Sequence, residues 1–130
     1  MVRVVFRHFP LSFHENAFGA SLFAQCAHAQ QQFYPFHDAL FSQGASFDRA
    51  SLWLIAERLE LDRKALEGCV QSDETRNLIQ QDIDAARAIG VSGTPSIFIN
   101  GTDYQGDREL QALLLAVDAI KTDPSPEGEK

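Results

Sequence analysis

A threonine-proline pair placed directly before a short apolar run most constrains what this chain can fold into. Pro95 can open a β-strand because the first residue of a strand may lack an N–H, and its ring forces Thr94 into an extended conformation. The run Ser96–Ile99 follows at once and ends in Asn100-Gly101, which is a strong hairpin signal. The sequence therefore predicts a hairpin here. If the Thr94–Pro95 bond is cis, the backbone N–H and C=O of Thr94 would face outward, where another extended chain could pair with them.

Helical periodicity dominates the chain before this hairpin, because apolar residues recur there at three- and four-residue spacing. The predicted helices cover about residues 17–31, 33–41, 48–59, a stretch that starts after Asp62, 74–89, and a last stretch that starts after Asp107. The predicted N-caps are Asn16, Asp62, Ser72 or Asp73, and Asp107. Gly90 is predicted to stop the fifth helix. Its core stripe is predicted to contain Leu78, Ile79 and Ile83, and that of the last helix Leu110, Leu113, Leu114, Val117 and Ile120.

The start of the chain is typical of a β-strand. Val2–Phe9 contains a near-continuous apolar run, as in a strand that is covered on both faces. The order strand, five helices, hairpin, helix predicts an α/β fold with a helical insertion at about residues 14–90. A chain of 130 residues is one domain by size, so we expect a single domain over residues 1–121 and a disordered tail over 122–130.

Charge and composition exclude several functions. The net charge is −7, which leaves no basic excess for nucleic acid or an anionic membrane. No apolar run approaches the roughly 18 residues of a membrane helix, and no signal peptide is visible, so at face value the chain is cytoplasmic. We expect no cofactor, because no phosphate-binding glycine loop occurs.

Titratable side chains show no catalytic or metal-binding pattern. The histidines are dispersed along the sequence, so we expect no metal site. His37 lies in an apolar stripe, so we expect it to be a histidine of the core. Glu57, Asp82 and Asp84 are expected to be solvated carboxylates on helix surfaces. The sequence therefore leaves the Thr94-Pro95 loop as the functional candidate.

Four stretches together resemble the DsbA-like branch of the thioredoxin superfamily. They are residues 90–101, which read Gly-Val-Ser-Gly-Thr-Pro-Ser-Ile-Phe-Ile-Asn-Gly, together with residues 2–11, 33–41 and 61–62. The resemblance covers about Val2 to Ile120. It implies a thioredoxin-like α/β sheet with a helical insertion, a thiol-disulfide oxidoreductase family, and extended peptides or protein thiols as partners. It also implies that Gly93, Thr94 and Pro95 bind the peptide.

The sequence departs from the family pattern in one respect that decides whether we expect catalytic activity. Such proteins begin with a strand and a helix that carries a Cys-x-x-Cys redox pair, and this sequence shows neither. We therefore expect the chain to be inactive as a catalyst when tested alone. The alternatives are a non-catalytic module that binds peptides or itself through the Thr-Pro loop, and a structural domain without a ligand.

The two cysteines are compatible with three chemical states. Cys26 and Cys69 are the only cysteines, and they fall on different predicted helices without the adjacent spacing and helix N-terminus that activate a thiol. A structural disulfide, two buried thiols or a redox-active pair all remain open from the residues. The resemblance favours the structural disulfide, because several DsbA-like proteins carry a second, non-catalytic one in their helical region.

In this family the missing strand lies between the Val2–Phe9 strand and the Ser96–Ile99 strand. Without it, we expect one of three outcomes. The two strands pair directly, a second copy pairs with the open sheet edge as a homodimer, or the chain is the truncated product of a parent with the redox pair. A truncated family member would be periplasmic or extracytoplasmic.

Overall fold

The computed structural model describes residues 2–44 and 47–122, which form two compact units, residues 2–92 and residues 93–122. The first unit contains α1 (Ala17–Ala29), α2 (Phe33–Ser42), α3 (Arg49–Arg58), α4 (Arg63–Val70) and α5 (Asp73–Ala88), and the second contains β1 (Ile97–Ile99), β2 (Thr102–Tyr104) and α6 (Leu110–Thr122). The extent of the predicted single domain stays a prediction. Of the predicted tail, residues 123–130 lie outside the described residues, and Thr122 is the last residue of α6.

The core of the first unit is built around α1, which packs against each of the other four helices. Apolar side chains on more than one face let a helix be surrounded in this way. The largest fully buried side chains are Phe23, Phe36, Leu52, Ile55, Leu66, Ile79 and Cys26. They come from all five helices, so the helical periodicity of the sequence identifies this core well.

Three of the helices begin at a side-chain cap. Asp62 accepts a hydrogen bond from the Ala65 N–H at 2.8 Å, and Ser72 accepts one from the Glu74 N–H at 3.1 Å, as predicted. Asp48, whose helix was predicted to begin there, accepts from the Ser51 N–H at 2.9 Å.

Asn16 does not cap α1 through its side chain, so that prediction is wrong. Its backbone angles, φ −97° and ψ 1°, lie outside the extended region that an N-cap residue normally adopts. The Asn16 amide instead donates to the carbonyl of Phe47 at 2.7 Å. It therefore ties the start of α1 to the start of α3.

Gly90 ends α5 as predicted. Its φ of +90° is the left-handed conformation that glycine adopts without steric cost. The Val91 N–H donates to the Ala86 carbonyl at 3.0 Å, and the Gly90 N–H donates to the Arg87 carbonyl at 3.0 Å. This is the Schellman arrangement, which closes the helix and directs the chain into the Thr94-Pro95 loop.

The predicted hairpin is present. β1 pairs antiparallel with β2, with Ile97 opposite Tyr104 and Ile99 opposite Thr102. Asn100 and Gly101 both have positive φ, 50° and 84°, which is the signature of a type I′ turn. The first strand begins at Ile97 rather than at Ser96.

The predicted strand over Val2–Phe9 does not form. The sheet of the described residues contains only β1 and β2, so the predicted direct pairing of the two strands is also absent there. A strand needs a neighbouring strand for its backbone groups, and no described strand pairs with this stretch. Val4 is 74% exposed, and Val2, Val5 and Phe6 are exposed as well.

Two predicted core stripes are partly wrong. In α5, Ile79 and Ile83 are buried, but Leu78 is 43% exposed because it lies about 100° around the helix from its neighbour Ile79. In α6, Leu110 and Leu114 are exposed, whereas Leu113, Val117 and Ile120 are half-buried.

Candidate functional site

The Thr94-Pro95 loop is exposed and is held by hydrogen bonds on both sides of the proline. The Thr94–Pro95 peptide bond is cis. Ser96 Oγ donates to the Gly93 carbonyl at 2.7 Å, and the Arg108 guanidinium donates to the Pro95 carbonyl at 3.1 Å. Thr94 and Pro95 are exposed and Gly93 is half-buried. Within the described part of the chain, no hydrogen bond uses the N–H or C=O of Thr94.

The outer edge of β1 adds further backbone groups without a hydrogen-bond partner among the described residues to those of Thr94. Residues that flank a two-residue hairpin turn exchange both hydrogen bonds, so the next pair along the ladder does not. That next pair is Phe98 and Asp103. The N–H and C=O of Phe98 therefore point away from β2, on the edge that no described strand occupies. Thr94 and Phe98 thus offer donors and acceptors that an extended peptide could use.

The two cysteines are bonded to each other. The Cys26 and Cys69 sulfurs lie 2.04 Å apart and join α1 to α4, as the resemblance implies for a structural disulfide. Cys26 is 1% exposed and lies in the body of α1 rather than at a helix N-terminus. The Thr75 hydroxyl lies 3.4 Å from the Cys69 sulfur, within hydrogen-bond reach of sulfur. The free-thiol reading is therefore wrong for this structure.

A family model described as Thioredoxin matches residues 1–119. The chain belongs to the thioredoxin family. It is a DsbA-like domain with a thioredoxin-like α/β fold and a helical insertion. The sequence resemblance to that branch is confirmed.

Two solved structures are similar to this domain. The thiol-disulfide exchange protein alpha-DsbA2 from Wolbachia pipientis has a TM-score of 0.79 and 22% identity, and the match covers 89% of this chain and 64% of that one. A thioredoxin-like oxidoreductase from Silicibacter pomeroyi DSS-3 has a TM-score of 0.77 and 28% identity, over 92% of this chain and 68% of that one. At these identities the likeness rests chiefly on the fold.

Curated relatives carry the domain within a much longer protein. A protein of Salinispora tropica called Na(+)/H(+) antiporter NhaA 3 is 38% identical over 89% of this chain, which is 18% of the antiporter. The Nitrosospira multiformis protein called Na(+)/H(+) antiporter NhaA is 32% identical over 86% of this chain, again 18% of its own length. The chain therefore spans less than a fifth of the curated relatives that it matches. Within residues 2–44 and 47–122, no helix is both long and apolar enough to cross a membrane.

Asp82 was predicted to be a solvated carboxylate, and the structure corrects this. Its side chain is 20% exposed and lies 3.7 Å from the Arg7 guanidinium. Its other oxygen accepts the backbone N–H of His8 at 2.9 Å. The contact joins residues 74 positions apart, so no local sequence pattern could have revealed it. Glu57 and Asp84 are exposed, as predicted.

His8 is the buried titratable group of the domain that sequence reasoning missed. It is 5% exposed, and its Nε2 lies 3.0 Å from Gln25 Oε1, an acceptor that requires the proton on Nε2. Burial lowers the pKa of His8 below 6.5, while Gln25 and Asp82 partly oppose that shift and His28 adds to it. His8 is therefore neutral near pH 7 and anchors the N-terminal segment to α1 and α5.

His37 is not the buried core histidine that was predicted. Its side chain is 27% exposed, and Nδ1 lies 3.0 Å from the Asp38 carboxylate. The ring also lies 5.8 Å from the ring of Phe6. Among the described residues, no three His, Cys, Asp or Glu side chains are placed to hold a metal ion.

Proposed function

We propose that this chain is the peptide-binding part of a DsbA-like thiol-disulfide oxidoreductase. The observation that carries the proposal is the exposed Thr94-Pro95 turn, which leads directly into a strand whose outer edge is not occupied by any strand of the described residues. The unpaired backbone groups of Thr94 and Phe98 can hold an extended polypeptide as an added strand. Gly93 would shape this loop, and Arg108 would keep the Pro95 carbonyl occupied.

The reacting dithiol is proposed to come from outside the residues of this chain. The Cys26–Cys69 disulfide is shielded, because Cys26 is 1% exposed and Cys69 is half-buried, whereas exchange requires an attacking thiolate to reach a disulfide sulfur. In oxidation of a substrate, a substrate thiolate attacks the catalyst's disulfide and displaces one catalyst thiolate. A second substrate thiolate then attacks the resulting mixed disulfide and releases the reduced catalyst. We propose that the Thr94-Pro95 loop holds the substrate through the mixed-disulfide stage.

Peptide titration tests the binding half of this proposal. The probe is an unstructured peptide of about ten residues, long enough for one strand of ordinary length, with one alkylated cysteine among Ser, Thr and Val. The Thr94→Pro substitution removes the Thr94 N–H and should abolish the peptide-induced amide shift at Phe98. The matched Thr94→Val substitution keeps that N–H and should retain binding. Equal binding by the two variants would refute a backbone-mediated site.

A redox assay tests the catalytic half. The chain alone should not reduce insulin or oxidise a dithiol peptide, with or without the Cys26→Ala and Cys69→Ala substitutions. The same chain should become active when a segment with Cys-x-x-Cys is joined to it, and Pro95→Ala should lower that activity. Peptide binding without any gain of activity would favour the non-catalytic binding module instead.

A second candidate function follows from the relatives at 38% and 32% identity. We propose that the domain serves a sodium/proton antiporter as an attached module. The test compares sodium-dependent proton flux in vesicles that contain a Salinispora tropica antiporter with the matching domain present or deleted. Identical flux, with identical dependence on sodium and on added dithiothreitol, would exclude this role.

A further inference from the structure

A cavity of about 220 Å³ lies between three helices of the first unit. Its lining includes Gly19 of α1, Arg49 of α3 and Arg76 of α5. A water molecule takes up about 30 Å³ in the liquid, so this space suits a ligand of roughly seven or eight non-hydrogen atoms. None of these residues belongs to the Thr94-Pro95 loop.

The cavity carries two positive charges that the described residues do not neutralise. No ion pair among them includes Arg49 or Arg76, although the net charge of the whole chain is −7. The Arg49 guanidinium lies 5.4 Å from the centre of the Phe23 ring, and that of Arg76 lies 5.7 Å from the centre of the Phe18 ring. An aromatic ring attracts a guanidinium without cancelling its charge, so both arginines can still bind an anion.

The sign and size of the charge favour a single carboxylate as that anion. The carboxylate of Glu15 also lines the cavity, which leaves a formal charge of +1 on the lining. A phosphate group carries about −1.5 to −2 near neutral pH, so Glu15 would repel it more strongly than a carboxylate. Arginine also binds carboxylates through two parallel N–H donors.

The remaining lining is apolar, so the ligand also needs an apolar group. Phe18 is half-buried, and Leu22 and Leu52 are 3% and 2% exposed. Removal of apolar surface from water would contribute to binding. Polar groups that fix the orientation of a ligand over an apolar lining are typical of small-molecule sites.

Gly19 leaves one wall of the cavity without a side chain. It lies inside α1 and does not have a positive φ, so the backbone does not require glycine there. A Cβ at this position would meet only Leu52 Cδ1, at an ordinary 3.8 Å, so packing does not require glycine either. Glycine inside a helix is less stable than alanine, and what it provides here is space for a ligand.

We propose that this cavity binds a small organic carboxylate. The carboxylate group contacts Arg49 and Arg76, and the apolar group packs on Phe18, Leu22 and Leu52. A free carboxylic acid and the C-terminal leucine of a polypeptide share this chemistry. The site lies wholly within the first unit, so it does not depend on the proposed function of the Thr94-Pro95 loop.

Titration of the full chain with two matched probes tests the recognition of charge. 4-Methylpentanoate has eight non-hydrogen atoms and the branched end of a leucine side chain, and 4-methylpentanamide has the same shape without the charge. The acid should shift the amide resonances of Gly19 and Leu22 with a dissociation constant of about 1 mM, as ordinary ligand efficiency allows. The amide should bind at least fivefold more weakly. The Thr94→Pro variant should bind the acid as the wild type does, which separates this site from the peptide site.

Charge variants test the two arginines and the glutamate in opposite directions. Arg49→Gln and Arg76→Gln should each weaken binding of the acid about fivefold, because each removes a charge-assisted donor. Glu15→Gln should tighten binding about twofold, because it removes a repelling carboxylate. Arg58→Gln is the matched control, since Arg58 is an exposed arginine of α3 that does not line the cavity, and its affinity should equal that of the wild type.

Substitutions at Gly19 test whether the space itself is needed. Gly19→Leu should fill the cavity and abolish binding, whereas Gly19→Ala adds a Cβ that the wall accommodates and should keep the affinity within about threefold. Circular dichroism and urea unfolding would verify that both variants keep the helical core.

A third probe distinguishes the two sources of the carboxylate. Tighter binding of acetyl-Ala-Ala-Leu than of 4-methylpentanoate would assign the site to the end of a polypeptide, and the reverse order would assign it to a free acid. Equal affinity for the acid and the amide would overturn the proposal, as would unchanged affinity in both arginine variants or the absence of any shift at Gly19 with the acid in large excess.

Discussion

The two units differ in how far they bury their side chains. The first unit contains five helices, and the second contains the hairpin and α6. All buried side chains of the described residues belong to the first unit, whereas residues 93–120 contain only half-buried and exposed ones. A helix satisfies its own backbone and needs a partner only for one face. A strand must find hydrogen-bonding partners elsewhere in the chain or in another chain. The difference teaches that the β-parts of this domain are where partners have to be sought.

The sharpest test of this contrast removes the cross-link of the helical unit. A double substitution, Cys26→Ala with Cys69→Ala, should cost about 4 kcal/mol in the chain-entropy model, because the bridge closes a long loop in the unfolded chain. Urea unfolding followed by circular dichroism measures the loss. The hairpin resonances of residues 97–104 should stay unchanged. A loss below about 1 kcal/mol, which is less than the roughly 2–5 kcal/mol typical of native disulfides, would mean that the helical unit is stable without the cross-link.

A pair of leucine truncations compares the two units directly. Leu66 is fully buried in α4, and Leu115 of α6 is 68% exposed. Leu66→Ala should therefore lower the unfolding free energy by about 3 kcal/mol, and Leu115→Ala by less than about 0.5 kcal/mol. Urea midpoints at constant m-value give both numbers. If Leu115→Ala were as costly as Leu66→Ala, α6 would be packed as tightly as the helices of the first unit.

Acidification should loosen the N-terminal segment while leaving the helical core intact. Burial lowers the pKa of His8 below 6.5, so below that pH the docked form binds fewer protons than the released form. The stability that His8 contributes is therefore complete above pH 6.5 and is lost as the pH falls through the lowered pKa.

Hydrogen exchange at the His8 amide between pH 7.5 and pH 5 measures this effect, after correction for the intrinsic exchange rate. His8→Gln should remove the pH dependence, and His14→Gln, at an exposed position, should preserve it. Constant protection of the wild type across this range would show that His8 does not control the docking of the segment.

Two glycines give the smallest expected effects, with opposite signs. Gly68 lies inside α4, and a Cβ there meets nothing within 4 Å, so Gly68→Ala should stabilise the first unit by about 0.5–1 kcal/mol. Gly101 has a φ of +84°, so Gly101→Ala should destabilise the hairpin by about 1 kcal/mol. Urea unfolding reports the first change and amide exchange of Thr102 the second. Stabilisation by both would mean that the turn tolerates a side chain.

Local patterns in the sequence predict those features whose physical causes are local. The caps at Asp62 and Ser72, the stop at Gly90 and the turn at Asn100-Gly101 each depend on a few adjacent residues, and each is found where it was predicted. The Val2–Phe9 stretch has the composition of a strand, but strand formation depends on a distant partner that composition does not report.

The same reasoning explains which parts of the candidate site were missed. Thr94 and Pro95 stand out in the sequence because proline restricts the backbone on both sides. The contacts of Asp82 with His8 and of Arg108 with Pro95 join residues that are far apart in the sequence. The residues next to them in the sequence therefore do not predict these contacts. Leu78 and Ile79 show the remaining ambiguity, since both fit an apolar stripe and only packing decides which one is buried.

The bond between Cys26 and Cys69 determines what happens to the chain after a protease has cut it. It encloses α2 and α3 within one covalent ring. A protease that cuts the backbone once anywhere between these two cysteines would leave both fragments attached. The nicked species would migrate as a single band on a gel until a reductant separated its two halves.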